Sequence, residues 1–186
     1  MATDQPERAE LYSRFVERYG RARWNETGIS RPISEQDVAK LQQRLGVVFP
    51  QSLRLFLTSH GDVAVPELSR TWLFADDRTC PVPIEEFFGY DTMPLANQTA
   101  WLAPIPASVS GGRVLLSANA FEYLVSFAGD DGGNWFCFKR ADCVAGCDDL
   151  PVFYFDHDGG AIEEIAKGLD ELLSRYLAIP DNAAGD

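Results

Sequence analysis

The 186-residue chain has only two histidines, four cysteines and no run of eighteen apolar residues. The last absence excludes a membrane-spanning helix, which needs about twenty apolar residues to cross the hydrocarbon core. The opening Met-Ala-Thr-Asp-Gln-Pro-Glu-Arg lacks the basic and apolar regions of a secretory signal, so a cytoplasmic address is expected. In that reducing setting Cys80, Cys137, Cys143 and Cys147 are read as free thiols. A metal shell would use Cys143 and Cys147, spaced C-x3-C, with Cys137 or His157 to complete it. That spacing is looser than the paired cysteines of zinc knuckles, and no second pair follows. No metal and no cofactor are expected.

Scarce histidine also limits catalysis. His60 stands beside Gly61 at a predicted helix end, where an imidazole serves as a C-terminal cap. His157 lies in Asp156-His157-Asp158, whose carboxylates would stabilise the imidazolium instead of a neutral base. The one enzymatic arrangement left open pairs Cys137, Cys143 or Cys147 with His157, and no flanking motif marks it. The chain is therefore read as a non-enzyme. Gly129-Asp130-Asp131-Gly132-Gly133-Asn134 has neither the acid spacing of a calcium loop nor the lysine of a phosphate loop. It reads as an acidic turn.

Positive charge is the other shortage. The net charge is −12, unevenly spread: Met1–Arg31 carries six arginines and five acids, and the remainder ten basic and twenty-three acidic residues. Such a surface keeps a protein soluble, repels phosphate backbones and attracts basic proteins. No nucleic-acid partner is expected.

What is present is a globular composition, 46% hydrophobic and 12% aromatic. Pro6 to Tyr19 spaces Leu11, Phe15, Val16 and Tyr19 for an amphipathic helix. Ser34 before Glu35-Gln36-Asp37 is an N-cap signal, Val38, Leu41 and Leu45 form a stripe, and Gly46 is a natural stop. Pro50 then opens a second helix with Leu53, Phe56 and Leu57, ended by Gly61. Prolines at 66, 81, 83, 94, 104 and 106 exclude long elements up to Ala107, leaving short pieces around Thr71–Phe74, Ile84–Tyr90 and Trp101–Ile105.

Beyond Gly112 the runs Arg113–Leu116, Tyr123–Phe127, Trp135–Phe138 and Val152–Phe155 read as strands, the second and third joined as a hairpin. Ile162, Ile165, Ala166, Leu169, Leu172, Leu173 and Tyr176 then recur at helical spacing. The order predicts a single α+β domain, with N-terminal helices and a C-terminal helix packed around a mainly antiparallel sheet. An N-terminal helical extension (1–28), the domain proper (29–178) and a flexible tail (179–186) are expected.

Three stretches together resemble the SUKH superfamily, the Smi/Knr-type domains. They are Ile33 to Gly46 running on through Phe49-Pro50 to Gly61, then Phe127-Ala-Gly-Asp-Asp-Gly-Gly-Asn-Trp-Phe-Cys-Phe138, and last Pro151-Val-Phe-Tyr-Phe-Asp-His-Asp158 with the helix after it. The first looks like the family's opening helix pair, the second like its Gly/Asp-rich turn and aromatic strand, the third like its last strand and closing helix. The chain departs at Gln43, where an acid is frequent, and at His60-Gly61, where Asn-Gly is frequent.

The resemblance implies a non-catalytic immunity protein that binds and neutralises a cognate basic toxin, such as a nuclease, of a polymorphic or contact-dependent system. The alternative is a regulatory interaction scaffold like the fungal members. The expected partner-binding face is Asp130, Asp131, Trp135, Asp148, Asp149, Asp156 and Asp158, since Glu122–Gly160 carries eight acids and two bases. The loops of Asp62–Gln98 are the next candidates, and either a monomer or a homodimer is compatible with the sequence.

Overall fold

Helix α1 (Gln5–Tyr19) buries Arg8, Tyr12, Phe15 and Tyr19, which share one stripe. The stripe is rotated from the predicted one, leaving Leu11 and Val16 partly buried at its margin. Helix α2 (Glu35–Leu45) starts as predicted at Ser34, whose Oγ accepts from the Asp37 amide at 3.1 Å. It stops at Gly46, which holds the left-handed φ of 68°. Pro50 occupies the N-cap of α3 (Gln51–Ser59), which buries Leu53, Phe56 and Leu57.

His60 closes α3, its amide donating to the Phe56 carbonyl at 2.9 Å and its ring leaning on Phe56. Burial lowers the His60 pKa, so the folded chain favours the neutral imidazole. An unfolded histidine titrates near about 6.5, so this contribution is complete above that pH and is lost as pH falls through it. The melting temperature is expected to fall between pH 7 and pH 5, and His60→Gln to flatten that slope.

The computed structural model describes residues 5–20, 32–65, 73–74, 81–82, 84, 86–88, 93, 109–110, 113–115, 123–130, 132–156 and 161–179. Among them, β1 (Val63–Ala64), β4 (Glu86–Phe87), β7 (Leu124–Gly129), β8 (Trp135–Lys139), β9 (Val152–Asp156), β10 (Ala161–Ala166), β6 (Arg113–Leu115) and β5 (Val109–Ser110) form one sheet in that spatial order. Every adjacent pair is antiparallel. A separate pair joins β2 (Leu73–Phe74) to β3 (Pro81–Val82). The fold is α+β. Two of the short pieces expected in the proline-rich region appear as β2 and β4, whereas Trp101–Ile105 lies outside the described residues.

One expectation fails. Ile162, Ile165 and Ala166 do not open the closing helix; they belong to β10, and α4 spans only Leu169–Leu177. Ile162 pairs with Phe155, and a register shift between Glu164 and Ala166 leaves Ile165 as an extra residue. That bulge lets Ile165 and Ala166 both reach the main core while Ile162 joins the cluster on the other face. A period of three produced by a bulge is indistinguishable in sequence from a helical turn. β7 repeats the device, its shift between Ser126 and Ala128 sending Phe127 and Ala128 to the same side.

The main core lies between helices α1 to α4 and one sheet face. Aromatic rings link the layers: Tyr12 on Phe56, Phe15 and Phe56 on Phe87, Phe87 on Phe127, and Phe127 stacked on Phe138 at 4.5 Å. The other face carries Leu124, Cys137, Phe153, Phe155 and Ile162. Among the described residues no helix is long and apolar enough to cross a membrane.

Gly168, the N-cap of α4, has an extended φ that any residue could adopt. Its requirement is space, because an added Cβ would lie 2.2 Å from the Asp149 carboxylate. Gly168→Ala is expected to displace that carboxylate and destabilise the fold by about 1–3 kcal/mol, read from urea unfolding.

Candidate protein-binding site

The β7–β8 hairpin ends in a turn built around Asp130. Its Oδ1 accepts from the Asn134 amide at 2.9 Å, and its Oδ2 accepts from Asn134 Nδ2 at 3.0 Å and from the Tyr154 hydroxyl at 2.6 Å. The Asp130 amide donates to the Asn134 carbonyl, and Gly133 takes a φ of 81°, which only glycine adopts freely. Gly132 and Gly133 are exposed at the tip.

Tyr154, on β9, reaches this turn from the helix-covered face, with its ring edge-on to Phe136. Burial is the main cause that raises the Tyr154 pKa, helped by its bond to Asp130 and by the charges of Asp130 and Asp156. Asp130 bonds this phenol directly, and Asp156 stands two residues further along the same strand. Asp156 is half-buried at the end of β9. Trp135 pairs across to Phe155, with ring centroids 5.8 Å apart, and packs partly buried against both apolar clusters. Thus Asp130, Trp135 and Asp156 share one end of the sheet.

Asp148 and Asp149 sit at the opposite end, before β9 begins. At about 3.3 Å per residue the strand alone separates its ends by about 13 Å. Asp148 accepts two bonds from the Arg8 guanidinium, at 2.8 and 2.9 Å, and this pairing lowers its pKa. Arg8 Nε reaches the Asp170 carboxylate at 2.9 Å, and Asp170 also accepts from the Tyr12 hydroxyl at 2.7 Å.

Asp149 Oδ1 accepts from Ser52 Oγ and from the amides of Leu150 and Leu169, and Oδ2 from the Asp170 amide. It therefore caps α4 from outside the helix, and burial raises its pKa in spite of those bonds. These two carboxylates hold α1, α3 and α4 together. Asp131 and Asp158 lie outside the described residues, as do His157, Cys80, Trp72 and Trp101.

The three described thiols pack against the two apolar clusters. Cys137 belongs to the cluster on the far sheet face, whereas Cys143 and Cys147 pack with the main core. Burial pushes the Cys143 thiol up to about 12 and raises Cys137 and Cys147 as well. Cys143 Sγ donates to the Lys139 carbonyl and Cys147 Sγ to that of Asp149.

The residues that sequence reasoning missed are Arg8, Tyr12, Asp170 and Tyr154. The first two carried a signal: Arg8, Tyr12, Phe15 and Tyr19 keep helical spacing, with an arginine where an apolar residue would stand. Tyr154 carried none, because a tyrosine in an aromatic strand does not show where its hydroxyl points.

Compared with known proteins, the chain matches a family model described as the SMI1/KNR4 family (SUKH-1) over residues 32–175, well over half its length. No curated protein matches it.

Proposed function

The chain belongs to the SMI1/KNR4 family (SUKH-1), and on that premise we propose that it is a cytoplasmic immunity protein. It binds a cognate basic toxin and holds it inactive without chemistry of its own. Family membership carries this reading, and the net charge of −12 supports it, since an acidic surface accelerates capture of a basic protein. The raised thiol pKa values favour binding over the cysteine–histidine alternative. The contact face we propose is the sheet end with Asp130, Trp135 and Asp156, which Asp131 and Asp158 adjoin in sequence. Asp148 is neutralised by Arg8 and contributes less there.

The test is purification of the tagged chain from the cells that make it, followed by co-expression. One basic protein should be recovered in stoichiometric complex, and cells producing that protein should survive only when the chain is present. No such partner, or no rescue, overturns the proposal. Several partners held at modest affinity would instead identify a regulatory scaffold.

A further inference from the structure

We draw no further inference here: the strongest candidate, the exposed surface patch of Tyr123, Val48 and Val144 where β7 begins and β8 ends, is an apolar face, and nothing in the structure shows what covers it.

Discussion

Arg8→Leu is expected to lower the unfolding free energy by about 3–5 kcal/mol, measured by urea unfolding at pH 7. Arg8 is 3% exposed and faces two carboxylates, Asp148 at 36% and Asp170 at 16% exposure. Removing the guanidinium takes away the cation that bonds Asp170, which is left beside its neighbour Asp149. The partial exposure of Asp148 lets water screen that side, which places the effect toward the lower end of the range. Replacing the carboxylates as well should recover part of the loss, because the large penalty belongs to unpaired charge and not to the missing pair itself.

The acid limb of the stability curve checks the cause. Arg8 holds the Asp148 pKa below its ordinary value, so this pairing stabilises the fold above about pH 4 and is lost as pH falls through the folded-state pKa. In Arg8→Leu that part of the acid dependence should disappear. If Arg8→Leu melts like the unaltered chain, the network does not hold the helices together.

The second large effect concerns where the folding unit starts. A chain beginning at Pro32, where the family match begins, is expected to lose cooperative unfolding and near-ultraviolet dichroism. Tyr12 and Phe15 are fully buried and Tyr19 is 7% exposed. Truncating one buried aromatic typically costs about 3–5 kcal/mol, so losing three is comparable to the whole usual margin of about 5–15 kcal/mol. Helix α1 also grips α4 along its length. Arg8 binds near the start of α4, Arg18 donates to the Leu177 and Ile179 carbonyls at its end, and the Tyr19 hydroxyl donates to the Tyr176 carbonyl. A sharp thermal transition in the shortened chain would show that α1 is only appended to the fold.

The parts legible in sequence were those governed by local rules. The Ser34 cap, the Gly46 stop and the Val38–Leu41–Leu45 stripe each depend on neighbours within a few residues. The turn at Asp130 announced itself through its glycines. What escaped depended on partners far along the chain. Asp148 and Asp149 read as surface acids because nothing within the acidic loop reveals Arg8, 140 positions earlier, or Ser52, 97 positions earlier. Ile165 read as helical because a bulge mimics that period. Asp130, Trp135 and Asp156 fall together, whereas the two acids that cap and clamp helices stand at the far end of β9.

The outermost strands of the eight-stranded sheet, β1 and β5, span two residues each. Among the described residues, a foreign strand meeting β1 or β5 would find a template only one or two backbone pairings long, too little to offset the entropy of ordering it. The central strands, rich in phenylalanine and tyrosine, would be the hazardous ones if laid bare, and they are enclosed by neighbours on both sides. The described ends of the sheet therefore give copies of this chain little backbone on which to zip together.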